Sequence, residues 1–132
     1  MRFLTALALS FALFAIPAFA ADKGAREASI DEVEAMIKEN KGVVVLDVRT
    51  REEYTGDGHL PGAKLVDFLD DGFSKNVEQL GLDKSKPVIV YCAVGGRAKR
   101  AADKMVALGF KDVILPKGSF NAWRAAGKKI EK

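Results

Sequence analysis

The chain has 132 residues, a formal net charge of +3, 48% hydrophobic residues, one cysteine and one histidine. That length is one domain, large enough to bury a core without disulfide or metal staples. So small a charge excess, with no basic run interleaved with aromatics, argues against a nucleic-acid partner.

Residues 1–20 read as an export signal. Met1-Arg2 is a short charged start, and residues 3–16 are apolar apart from Thr5 and Ser10. Pro17 breaks the run, and Ala18-Phe19-Ala20 puts small residues at both positions a signal peptidase reads. Cleavage is expected between Ala20 and Ala21, leaving no membrane segment. Pro17 and the cleavage pattern weigh against the competing reading, an uncleaved anchor. The domain is then expected outside the cytoplasm: in a periplasm if bacterial, otherwise secreted. In an oxidising compartment thiols usually pair. Cys92 has no partner in its own chain, so it is either an intermolecular link or a reactive group.

Residues 21–28 are polar and read as a flexible lead-in to a domain over 29–128. Ser29 and Glu32 form a capping-box signature for a helix whose apolar face is Ile30, Val33, Met36 and Ile37. Residues 43–46 form a buried-strand pattern that ends in Asp47-Val48-Arg49. Thr50 and Glu53 repeat the capping box and predict a short helix through Tyr54. Residues 56–63 are a turn-rich connection holding His59, read as a hydrogen-bonded turn residue and not as a general base. Residues 63–66 give a third short strand. Asp67, Asp70 and Asp71 do not have calcium-loop spacing and read as a solvated acidic turn; no metal site is expected. Residues 74–80 read as a helix and 81–87 as a polar linker.

The central stretch follows. Val88-Ile89-Val90-Tyr91 suits a strand buried on both faces. Residues 98–108 are helical, with Ala101, Ala102, Met105 and Leu108 on one face and Gly109 as the stop. Between them runs Cys92-Ala93-Val94-Gly95-Gly96-Arg97. A helix start offers unpaired N–H groups and a positive dipole end, which suit anions and favour the thiolate of a nearby cysteine. Gly95 and Gly96 let the loop curl so that several N–H groups turn inward. Arg97 adds a permanent cation. Cations at Arg97, Lys99 and Arg100 in the first turn are normally unfavourable and imply an anion held there, unless Asp103 pairs with them. Residues 113–115 form a fourth strand. Residues 119–126 form a short helix with Phe120 and Trp123 facing inward, and the lysine-rich tail reads as disordered.

This alternation predicts an α/β fold: a three-layer open parallel sheet of four or five strands with helices on both faces. Ligands of such sheets bind beyond the carboxyl ends of the strands, where Cys92, Asp47 and Arg49 fall.

The segments LDVRTREEY (46–54), GHLPGA (58–63) and VIVYCAVGGRA (88–98), with the GF…AW ending from Gly109 to Trp123, resemble single-domain rhodanese-like proteins. The resemblance implies a sulfurtransferase. Cys92 would take a sulfane sulfur from a small anionic donor such as thiosulfate, and pass it to a thiol-bearing acceptor or to cyanide. It also implies that the backbone N–H groups of Ala93, Val94, Gly95, Gly96 and Arg97 cradle the outer sulfur, with Arg97 helping to hold the anion. Asp47 and Arg49 are expected to brace the loop as an ion pair, and no cofactor is implied. Two departures stand out. Val94 and Ala98 replace serines common in the loop, and Ser119 stands where a second glycine is usual. Only four residues separate Cys92 from Arg97, one fewer than in members resembling dual-specificity phosphatases or arsenate reductases, which ranks those activities below sulfur transfer. A carrier module that holds a persulfide for a partner protein, and a redox-sensing thiol, remain the alternatives.

Overall fold

A computed structural model describes residues 24–132; the expected export signal lies outside the described residues. The elements in chain order are β1 (Gly24–Ala28), α1 (Ile30–Glu39), β2 (Val44–Asp47), α2 (Arg51–Asp57), β3 (Lys64–Leu65), α3 (Phe73–Gln79), β4 (Val88–Tyr91), α4 (Gly96–Ala107), β5 (Asp112–Pro116) and α5 (Ser119–Ala125). Both capping boxes form. Ser29 and Thr50 accept from the backbone N–H three residues on, while Glu32 and Glu53 reach back to the cap N–H. Two orphan donors are satisfied at each helix start.

The five strands are parallel in the order β1-β5-β4-β2-β3. Side chains along a strand alternate between faces, and β4 divides the core accordingly. Val88, Val90 and Cys92 pack with Phe73 and Val77 of α3 and with Ala98, Ala101, Ala102 and Met105 of α4. Ile89 and Tyr91 pack with Val33 of α1 and with Phe120 and Trp123 of α5. The result is the expected three-layer α/β sheet. From β2 the chain moves outward to β3, and from β4 it moves the other way to β5. The carboxyl ends of β2 and β4 therefore flank the switch point of the sheet, where such folds bind ligands.

Two expectations are corrected. Gly24–Ala28 is not a flexible lead-in but the edge strand β1, in register with β5 from Gly24 opposite Asp112 to Ala28 opposite Pro116. Arg26 Nε donates to Asp112 at 2.9 Å, and Ala28 is buried. The tail is likewise not disordered. Glu131 and His59 exchange backbone hydrogen bonds of 2.8 and 2.9 Å, and Glu131 Oε1 accepts from Gly62 N–H. Trp123 Nε1 donates to Lys129 O, so the core tryptophan anchors the tail. Both segments are polar, and their partners lie far along the chain.

The packed tail makes Gly58 sensitive. Its φ is +82°, and a Cβ there would press on Ile130 Cγ2 and lie 2.7 Å from Glu131 O. Gly62, at φ +71°, has open space around it. Gly58→Ala is expected to cost about 2–4 kcal/mol in urea unfolding, through backbone strain plus overpacking. Gly62→Ala is expected to cost only the left-handed penalty, about 1–2 kcal/mol.

Candidate active site

The loop after β4 presents the cysteine. Cys92 continues the alternation of β4 toward α4 and is 1% exposed. Its Sγ accepts from Gly95 N–H at 3.0 Å and from Ala98 N–H at 3.4 Å. Gly95 has φ +127°, open to glycine but not to side-chain-bearing residues, and this bend aims its N–H at the sulfur. Ala98 lies in the first turn of α4, where backbone N–H groups have no partner within the helix. These two donors serve Sγ itself, whereas the five amides were expected around an outer sulfur. Gly95 belongs to both sets, and Ala98 lies just beyond the expected residues. The general rule for helix starts pointed to it.

The other face of the loop is clamped by α5. Phe120 N–H donates to Cys92 O and Asn121 N–H to Ala93 O, each at 3.0 Å. Cys92 N–H donates to Ser119 Oγ at 3.1 Å. A cavity of about 280 Å³ opens beside the loop, lined by Val94, Gly95, Gly96, Ala98, Lys99 and Ser119 among others. Three of these residues, Gly95, Ala98 and Ser119, also contact Sγ. Val94 is 70% exposed at the rim. A cavity of about 430 Å³ beside α3, lined by Arg51, Asp67 and Asp70 among others, is larger but is not lined by the cysteine.

The Arg97 side chain has a partner across the site. Its guanidinium makes a bidentate pair with Glu53 of α2, Nη1 to Oε1 at 2.6 Å and Nη2 to Oε2 at 3.0 Å. Glu53 is already fixed by its capping box, so it offers a rigid carboxylate fork, and the Arg97 side chain ties α4 to α2. Arg100 also turns aside, its guanidinium lying over the Phe68 ring at 5.2 Å.

Asp47 and Arg49 form a fully buried ion pair. Arg49 Nη2 and Tyr91 OH both donate to Asp47 Oδ2, at 2.7 and 2.6 Å, and Arg49 N–H and Nε donate to Oδ1. Arg49 Nη2 also donates to Gly58 O, and Tyr91 OH accepts from Leu60 N–H. Burial, with Asp47 adjacent, pushes the Tyr91 hydroxyl well above its ordinary range, so it stays a donor. The Arg49 guanidinium lies 4.0 Å from the Phe120 ring centroid. Phe120 is the residue whose N–H holds Cys92 O, so the pair braces the loop through α5. His59 stacks on Tyr54 at 4.0 Å, and its Nδ1 lies 2.9 Å from Leu60 O, within the turn.

The Arg97 hydrogen bonds hold the Glu53 carboxyl at about 2, well below its ordinary 4.5. Between those two values the unfolded chain binds the extra proton, so this contribution to stability is complete above about pH 4.5 and is lost as pH falls through about 2. Glu53→Gln is expected to be less stable than the parent by about 1–2 kcal/mol at neutral pH, allowing for partial exposure. The gap should close as urea unfolding is repeated toward pH 2.

A family model described as Rhodanese-like domain matches residues 29–126. Thiosulfate sulfurtransferase GlpE of Pseudomonas fluorescens is 37% identical over 84 residues, covering 64% of this chain and 72% of that protein. GlpE of Coxiella burnetii is 32% identical over 90 residues, covering 64% and 75%. A relative from Haloferax volcanii is 29% identical over 129 residues, covering 77% of this chain, which spans only 44% of that protein. Among solved structures, the rhodanese-like domain of the Anabaena Alr3790 protein superposes with a TM-score of 0.69 at 27% identity, covering 80% of this chain and 77% of that one. A rhodanese-like domain protein from Staphylococcus aureus gives 0.66 at 29%, covering 81% and 99%. By its sheet order, the match over 29–126 and these relatives, the chain belongs to the rhodanese-like domain family.

Proposed function

We propose that this protein is a sulfurtransferase that carries sulfane sulfur on Cys92, with thiosulfate or a similar small anion as donor. The observation that carries the reading is the position of Sγ, at the tip of β4 and under the N–H groups of Gly95 and Ala98, two residues that also line the cavity beside the loop. The names of the GlpE relatives favour thiosulfate.

The chemistry is covalent and runs in two steps. The Cys92 thiolate attacks the outer sulfur of thiosulfate. The new bond is Sγ–S, the bond broken is the S–S bond of thiosulfate, and sulfite leaves with the electron pair. An acceptor thiolate, or cyanide, then attacks the outer sulfur of the persulfide. Sγ takes the electron pair back as thiolate, and the acceptor leaves as a persulfide or as thiocyanate. Fixed backbone N–H groups stabilise the negative charge at both stages without having to reorganise. No metal or organic cofactor enters either step. Export would place this reaction in a periplasm or outside the cell.

After incubation with thiosulfate, the intact mass is expected to rise by one sulfur, about 32 Da, in the parent and not in Cys92→Ser. With cyanide added, steady-state kinetics should follow a ping-pong pattern. A mass gain without turnover would instead identify a persulfide carrier for a partner protein, the reading favoured by the missing hydroxyls at Val94 and Ala98. Oxidation of Cys92 without any gain of sulfur would identify a redox sensor and overturn the proposal.

A further inference from the structure

We propose that Ser119 is a positioning residue for the Cys92 sulfur, its hydroxyl anchoring the cysteine's backbone and turning its own proton onto Sγ. The inference rests on the reading of Cys92 as the sulfur carrier.

The backbone supplies the first argument. Among the described residues, only Asn40 and Ser119 have positive φ without being glycine. Asn40 is the exposed C-cap of α1, a place where asparagine is ordinary. Ser119 is 1% exposed at φ +55°, a conformation glycine would adopt without cost. A strained residue held inside a packed region directs attention to what its side chain does.

The side chain supplies the second. Ser119 Oγ accepts from Cys92 N–H at 3.1 Å, which occupies a lone pair and leaves the hydroxyl proton to donate. Sγ lies 4.0 Å from Oγ, in a direction this proton can take. This is a long contact for a neutral thiol, and hydrogen bonds of this kind shorten and strengthen when the acceptor carries charge. Ser119 also lines the cavity beside the loop together with Gly95 and Ala98, the two residues whose N–H groups donate to Sγ.

The position of the donor on the inner sulfur predicts which half of the reaction it serves. When cyanide attacks the outer sulfur, a C–S bond forms, the S–S bond breaks and Sγ departs as thiolate. A donor on Sγ stabilises that leaving group and speeds this step, because a better-stabilised thiolate leaves faster. In the loading step Sγ is the attacking group, and the same donor restrains its nucleophilicity. The two half-reactions therefore respond in opposite senses. The charged groups near the loop, namely Arg97 and Lys99 on α4, Glu53 on α2, Glu27 on β1 and Asp67 after β3, remain the same when only Ser119 is changed.

The test measures each half-reaction in single turnover for the parent, Ser119→Ala and Ser119→Gly. Loading is followed as sulfite release from thiosulfate, and unloading as thiocyanate formation from the pre-loaded protein with cyanide. Ser119→Gly removes the strain with the hydroxyl and so provides a folded variant even if Ser119→Ala is unstable. Unloading slowed about three- to tenfold in both variants, with loading at least as fast as in the parent, is the expected result. Equal slowing of both steps would reveal a merely structural serine and overturn the inference, as would parental rates in both. A parent that loads no sulfur at all would remove the carrier reading and this inference with it, an outcome distinct from a parent that loads and variants that match it.

Discussion

The buried pair of Asp47 and Arg49 is the constraint around which this molecule is arranged. Two charges taken out of water are tolerated only where their remaining hydrogen-bonding capacity is met. Here Asp47 at the end of β2 receives the Arg49 guanidinium and the Tyr91 hydroxyl from β4, and Arg49 donates onward to Gly58 O. Tyr91 in turn holds Leu60 N–H. Two central strands and the 58–60 turn are thereby fixed relative to one another. The guanidinium face against Phe120 extends the same restraint to α5.

From α5 the restraint passes to the cysteine. Phe120 and Asn121 hold the carbonyls of Cys92 and Ala93, and Ser119 holds the Cys92 amide. With its backbone pinned on one side, the loop can direct Gly95 and Ala98 at Sγ on the other. A cradle built from main-chain donors has little freedom to reorganise, which suits stabilisation of charge that appears and disappears on sulfur. The Arg97 guanidinium joins α4 to α2 through Glu53. Its positive charge remains near the loop while its hydrogen bonds serve the scaffold.

Much of this was legible residue by residue. The two capping boxes are short-range patterns whose donors and acceptors lie three positions apart, and both form. The run from Val88 to Tyr91 is apolar on both faces and lies in the middle of the sheet. Gly95 and Gly96 mark the bend before α4, and the cysteine falls at the strand tip. His59 sits in its turn, stacked on Tyr54. The edge strand β1 was hidden because its sequence is polar and its partner, β5, lies more than eighty residues away. The ordered tail was hidden for the same reason, since Glu131 finds His59 only after the chain has folded.

The amino-acid sequence by itself determined the kind of fold, the order of its elements from α1 to α5 and the place of the cysteine at a strand tip. These depend on hydrophobic period, turn residues and capping, all of which act over a few neighbouring positions. Tertiary structure alone decided that Glu53 would take Arg97, that Ala98 would join Gly95 on the sulfur, and that Ser119 would be held at φ +55° against Cys92. The reason is physical: such pairings are chosen by which groups meet when distant segments close on one another, and no local pattern records that meeting.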